Sequence, residues 1–281
     1  MKFFPLLIVG VACARILQAE PPENFKRENL VAWCIVPFDS KKREPAERTA
    51  MLNRLGLKRC AYDWRKEHVA GFETEIKEYK KRGVEFFAFW SEHPKAFTLF
   101  QKHDLKPQVW KIVRSPNGDT REQKVANGVR MMLPLAEKTA KLGLKLGLYN
   151  HGGWGGQPKN LIAVCEGLRE AGHDHVGIVY NFHHAHFDIA SFGENFSKMK
   201  PYLLCLNLNG MKDPTKVDVK QTAHKIVPIG GGEFEKEMIR TVINAGYEGP
   251  IGILGHIASE DVEVVLKRNL AGLEKLLSEV E

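Results

Sequence analysis

The chain has 281 residues, 43% of them hydrophobic, and a formal net charge of +7. The length suits one large domain or two small ones, and the apolar share is ample for a core. The positive surplus lies along helix-like stretches such as EIKEYKKRG and AEKTAKLGLK with no aromatic residues between the charges. That pattern reads as solvated helix faces and excludes a nucleic-acid partner.

The first nineteen residues have the form of a signal peptide. Lys2 supplies the positive end, Phe3 to Ala12 the apolar centre, and Leu17-Gln18-Ala19 a small-residue cleavage site. Cys13 follows Gly10-Val11-Ala12, a faint echo of a lipoprotein box without its leucine. The expected destination is periplasmic or extracellular. Cleavage removes Lys2 and Arg15 and lowers the charge from +7 to +5. Past this segment no stretch is long and apolar enough to span a membrane. Residues 20–28 are polar and contain Pro21 and Pro22, a short linker, and the expected domain runs over 29–281.

Eight apolar runs come next. They are Asn29 to Val36, Leu57 to Trp64, Val84 to Trp90, Lys106 to Val113, Leu144 to Tyr149, a run starting at His175, Tyr202 to Leu208 and Gly249 to Leu254. Runs rich in Val, Ile, Leu and aromatics, bounded by Gly and polar residues, fit buried parallel strands. Between them lie helical patterns at Pro45 to Leu55, Glu67 to Arg82, His93 to His103, Arg121 to Leu142 capped by Thr120, Pro158 to Gly172, Asp188 to Met199 and Phe234 to Ala245. Ser259 is expected to cap the last one. A long excursion occupies Asn209 to Gly232. Strand-to-strand distances of about thirty residues are the size of a βαβ unit. The alternation, closing at eight, predicts the α/β class and a single-domain (β/α)8 TIM barrel. An open doubly wound sheet is the alternative, but Gly152-Gly153-Trp154-Gly155-Gly156 lacks its G-x-G-x-x-G fingerprint. Cys34, Cys60, Cys165 and Cys205 form no C-x-x-C pair and are expected to be buried and free.

A barrel gathers the residues just past each strand at one mouth. Here those residues are Asp63, Trp64 and Arg65; Trp90, Glu92 and His93; Lys111 and Arg114; Asn150, His151 and Trp154; Asn181, His183, His184 and His186; Asn207 and Asn209; and His256. Imidazoles can act as general bases near neutral pH, and indoles and amides suit a sugar. Roles are assigned on that chemistry. His151, His184 and His256 are catalytic, and Lys111 stabilises an enolate. Asp63, Trp64, Trp90, His93, Asn150, Trp154, Asn181, Asn207 and Asn209 bind substrate. Tyr149, Tyr180 and Trp110 are expected to pack. The loop Ile229 to Glu233 is read as a flexible turn with Glu233 at a helix start, in preference to an anion site.

The phrases LGLYNHGGW, VGIVYNFHHAH, LLCLNLNG, IVPIGGGEFE and GYEGPIGILGH resemble the strand-five to strand-eight signatures of the xylose-isomerase-like TIM-barrel superfamily, over roughly residues 29–277. The resemblance implies a sugar isomerase, epimerase or lyase. It also implies a divalent metal held by Glu, Asp, His and Glu on strands five to eight. The counterparts here are Tyr149, Asn181, Asn207 and Leu254, none of them a strong ligand. There remains a displaced set of His151, His184, His186 and His256 for Zn, Mn or Co. Two functions are compatible with these residues: a carbohydrate-acting enzyme that abstracts a proton next to a carbonyl through histidine, and an inactive barrel that binds carbohydrate or a partner protein.

Overall fold

The computed structural model describes residues 21–280, so the signal segment and its expected cleavage site lie outside it. Eight parallel strands close into a barrel in sequence order. They are β1 (Val31–Trp33), β2 (Arg59–Asp63), β3 (Glu85–Trp90), β4 (Gln108–Ile112), β5 (Leu146–Tyr149), β6 (Val176–Asn181), β7 (Leu203–Asn207) and β8 (Ile251–Leu254). β8 pairs back onto β1 through Val31 opposite Gly252 and Trp33 opposite Leu254. The helices are α1 (Pro45–Arg54), α2 (Phe72–Arg82), α3 (Pro94–Lys102), α4 (Arg121–Lys141), α5 (Pro158–Glu170), α6 (Phe192–Met199), the one-turn α7 (Thr222–Lys225), α8 (Glu235–Asn244) and α9 (Val262–Leu277). No helix among the described residues is long and apolar enough to cross a membrane.

Two concentric cores explain the strand sequences. Alternate side chains point to opposite faces of a strand. Ala32, Val109, Leu146, Leu148, Ile178, Leu206, Ile251 and Ile253 therefore pack outward under the helices. Val31, Trp33, Ala61, Ala88, Trp110, Tyr149, Val179, Cys205 and Leu254 fill the barrel interior. Large interior side chains need small neighbours. A Cβ on Gly147 would stand 2.9 Å from the Trp110 ring, and one on Gly252 would stand 1.8 Å from Asn207 Oδ1. Outside the sheet, Arg48 of α1 and Glu75 of α2 form a buried ion pair at 2.5 Å.

Several boundaries differ from the sequence expectation. β1 stops at Trp33 because Cys34 turns into the left-handed region at φ +58°. The expected helices from Glu67 and from Asp188 start as 3-10 turns, Lys66–Gly71 and His186–Ser191, before becoming α-helical at Phe72 and Phe192. Ser259 caps nothing; Asp261 accepts the Glu263 N–H at 2.8 Å and starts α9. Thr120 does cap α4, accepting the Gln123 N–H at 3.2 Å. All four described cysteines are buried and free.

Candidate active site

The carboxyl ends of the strands surround a small cavity of about 90 Å³. It is lined by Trp33, Cys34, Phe38, Asp63, Arg65, Trp90, Tyr149, His151, His183, His184 and His256. Histidines from three strand ends meet here because each follows an apolar strand that stops at the mouth. The chain leaves β6 in a 3-10 turn, Phe182–His184, started by Asn181, whose side chain accepts the His183 N–H at 3.2 Å. That turn ends the alternation and brings His183 and His184 to the same cavity. The ring centres of His183 and His184 are 3.8 Å apart, those of His151 and His184 4.3 Å, and those of His183 and His256 5.5 Å.

Burial shapes the charge of this cluster. Desolvation, with smaller repulsion from Lys225, lowers the pKa of His151; with repulsion from neighbouring imidazoles added, it drives His183 well below the usual histidine value and takes His184 to about 2. Desolvation, then Lys225 and Arg65, bring His256 to about 4. The rings are therefore neutral near pH 7. Burial acts oppositely on Asp63, lifting its carboxyl to about 7 against the pull of Arg65. Asp63 Oδ1, His183 Nδ1 and His256 Nδ1 are buried with no hydrogen-bond partner among the described residues.

Of the residues assigned from sequence, His151, His184, His256, Asp63 and Trp90 line the cavity. The others do structural work. Lys111 alternates with the inward Trp110 and so points out of the barrel, where it pairs with Glu92 at 2.7 Å. Its enolate-stabilising role is corrected on that ground. Trp64 packs on Phe72 and His93, and His93 caps α3 by accepting the Lys95 N–H at 3.2 Å. Trp154 is partly buried against the outer core. Asn150 clamps Asn181, donating to its carbonyl at 3.1 Å and accepting its N–H at 2.7 Å. Asn181 donates to the Tyr149 hydroxyl at 2.8 Å. Asn207 lies fully buried against Gly252. Asn209 donates to the carbonyls of Gly210 and, at 2.9 Å, Lys225. His186 is buried but lies off the cavity lining.

The expected metal set does not assemble. Among the described residues no group of three or more His, Cys, Asp or Glu side chains could hold a metal ion. The four positions where the resemblance places ligands carry a phenol, two amides and an isobutyl group, and the amide of Asn181 is already committed to Tyr149 and His183. The residues present do not fit a divalent metal there.

Sequence reasoning missed Trp33, Phe38 and Lys225, and it read Tyr149 as packing and as the counterpart of the strand-five ligand. Trp33 and Phe38 sit at the end of the first strand, where no chemistry-bearing side chain drew attention. Lys225 lies far along the excursion after β7, and its sequence neighbourhood carries no signal. The expected flexible turn at 229–233 is also corrected. Glu235, not Glu233, is the key acid: its buried carboxylate accepts the N–H groups of Gly230 at 3.1 Å, Gly232 at 2.7 Å and Met211 at 2.9 Å. Glu233 instead reaches Lys216 at 3.5 Å.

A family model described as xylose isomerase-like TIM barrel matches residues 47–275. A search of curated proteins finds no match. Among solved structures, similarity extends to the probable 3-DHS dehydratase of Bacillus anthracis, at 13% identity and TM-score 0.66, covering 85% of this chain and 97% of that one. It extends to a D-tagatose 3-epimerase-like protein at 14% identity and TM-score 0.66, with coverages of 89% and 98%. A third is the IOLI protein with a bound zinc atom, at 10% identity and TM-score 0.66, with coverages of 90% and 99%. At these identities the likeness concerns the fold.

Proposed function

The chain belongs to the xylose isomerase-like TIM barrel family, and from that premise we propose that it is an enzyme acting on a carbohydrate by proton transfer beside a carbonyl, as an isomerase, epimerase or lyase. The names of the similar structures, an epimerase-like protein and a probable dehydratase, support this class. The observation that carries the reading is a pair of proton-transfer groups, each with one buried polar atom that lacks a hydrogen-bond partner among the described residues. His256 Nδ1 and Asp63 Oδ1 are both buried, both without a hydrogen-bond partner among the described residues, and both belong to side chains lining the same cavity.

Neutral His256 is the base that takes the proton from the carbon next to the carbonyl. Asp63, protonated below about pH 7, returns a proton to the enolate or to a leaving hydroxyl. General acid–base steps of this kind are worth about 10²–10⁴ in rate. His151 and His184 are neutral N–H donors for the oxygen that gains charge, a term that grows in a site shielded from water. A base works best with its pKa near the operating pH, which favours His256 over the more strongly depressed His184. No step is routed through a metal, since the donor set does not fit one.

The test is isotope exchange. In heavy water, a panel of keto-sugars should take up deuterium at the carbon beside the carbonyl. The His256→Ala variant should lose that exchange by about 10²-fold or more while its melting temperature stays close to the parent's. The replacement of charged ligand positions by Tyr149, Asn181, Asn207 and Leu254 favours one competing reading, a barrel that binds carbohydrate without turning it over. Binding without exchange for every sugar would establish that reading instead.

A further inference from the structure

Tyr149 ends β5 and lines the cavity. Packing fixes its ring. The rings of Trp90, His184, His151 and Trp33 stand around it at centre distances of 4.6, 5.7, 6.1 and 6.2 Å, and all four line the same cavity. A chain of hydrogen bonds, whose directions the backbone decides, fixes the polarity of its hydroxyl. A main-chain N–H can only donate. The His183 N–H therefore makes Oδ1 the atom that Asn181 turns toward it, at 3.2 Å, and leaves the NH2 end of that amide to donate to the Tyr149 oxygen at 2.8 Å. The backbone of Asn181 is clamped in turn by both ends of the Asn150 amide, at 2.7 and 3.1 Å. Toward the protein the phenol oxygen is thus an acceptor, and its own hydrogen has no acceptor among the described residues. Trp33 repeats the pattern. Its indole N–H can only donate, and it is buried with no partner among the described residues, on a side chain that lines the cavity. Two neutral donors in the barrel interior await an oxygen with free lone pairs.

The geometry points to Tyr149 as a catalytic residue of the proton-transfer step: its hydroxyl, with the Trp33 N–H, receives the carbonyl oxygen that becomes the enolate oxygen. The inference rests on the proton-transfer reading and assigns its electrophile. In the step, His256 Nδ1 takes the proton, the C–H electron pair becomes the second bond between the two carbons, and the carbonyl π pair moves onto oxygen. Tyr149 tightens its hydrogen bond to that oxygen and keeps its own proton. When the proton returns to carbon the two pairs move back. Burial holds the phenol well above its ordinary pKa of 10, so the donor is present across the working pH range. A fixed donor in a site shielded from water gains most as charge develops. Asn181 sets the direction: by donating to the phenol oxygen it keeps the hydroxyl from turning back onto the protein and strengthens it as a donor.

The test compares the full chain with Tyr149→Phe, which keeps the ring and removes the hydroxyl. On a keto-sugar that the parent deuterates, kcat for exchange should fall by about 10²–10³ while KM moves by less than about threefold, the mark of an interaction made in the transition state. A thermal melt, lowered where Asn181 loses its acceptor, ensures that rates refer to folded protein. A second measurement needs no variant. The parent saturated with erythronohydroxamate, a planar anionic mimic of an enediolate, should show a far-downfield hydroxyl proton resonance with nuclear Overhauser contact to tyrosine ring protons. Exchange at the parental kcat in Tyr149→Phe overturns the inference. So does a hydroxamate that fails to bind or binds without that resonance, leaving water as the hydroxyl's partner. A parent that exchanges no sugar removes the proton-transfer reading instead; a hydroxamate held by the tyrosine hydroxyl in that same parent keeps Tyr149 as the anchor of an oxyanion.

Discussion

Asp63 and the mouth histidines titrate in opposite senses because burial always penalises the charged form. His184 at about 2 and His256 at about 4 are held below the ordinary 6.5, so the stability they contribute is present above pH 6.5 and lost as pH falls toward 4. Asp63 is raised from 3.8 to about 7, so its contribution is present below pH 3.8 and lost as pH rises through 7. Asp63→Asn removes the second effect and leaves the first. The variant should melt higher than the parent at pH 8, by up to about 4 kcal/mol in stability, and the difference should vanish near pH 4. A variant no more stable than the parent at pH 8 would mean that Arg65 keeps Asp63 ionised, and its role as acid would fall. Asp63 could be located from sequence because it follows an apolar strand. Its protonation could not, since that depends on the barrel closing over it. Lys111 shows the opposite failure: proximity to the mouth was legible, but its outward side of β4 emerged only once Trp110 was fixed inward.

At the scale of elements, segment 208–234 is the long excursion that carries Asn209 and Lys225. Its two ends are joined by the antiparallel bridge between Gly210 and Val227 and by the Glu235 carboxylate, which reaches Met211 and the glycine turn together. A Cβ on Gly232 would meet Glu235 Oε2 at 2.1 Å, so glycine is required for the acid to close this cradle. Glu235→Gln keeps the size but turns one acceptor edge into a donor facing a backbone N–H. The expected loss is about 1.5–3 kcal/mol, the worth of hydrogen bonds to a charged group. The segment carrying Asn209 and Lys225 should also loosen. Limited proteolysis should nick the variant within 208–234 well before the parent; an uncut, equally stable variant would deny the cradle its role. None of this was legible in the sequence, where Ile229 to Glu233 read as a turn with Glu233 at a helix start. The strands were legible because their apolar runs are dictated on both faces, by the interior core and by the helices. β1 was overlong in expectation because Cys34, an ordinary strand residue by type, adopts positive φ.

The whole molecule sets the last question, which is whether its chemistry depends on a metal. A parallel eight-stranded barrel places the four ligand positions of the resemblance at the mouth whatever residues occupy them. In this chain those positions serve packing: Tyr149 fills the interior beside Trp90, Trp110 and His184, Asn181 and Asn207 are fully buried, and Leu254 closes the interior core. Divalent ions need charged or imidazole donors in a fixed shell, and burying a carboxylate shell without its ion would cost several kcal/mol per charge. The substitution of neutral groups removes that cost, so the barrel should fold with the same stability in the presence and absence of metal. Dialysis against a chelator should leave both the melting temperature and the deuterium exchange unchanged, and added Zn, Mn or Co should raise neither. Binding to the native state alone would lift stability by RT ln(1 + [L]/Kd), about 2.7 kcal/mol at a hundredfold excess over Kd. A melting temperature that rises with one of these ions, and falls back in a His151→Ala or His184→Ala variant, would show that the imidazoles assemble a site on binding. The acid–base assignment to His256 and Asp63 would then have to be rebuilt around that ion.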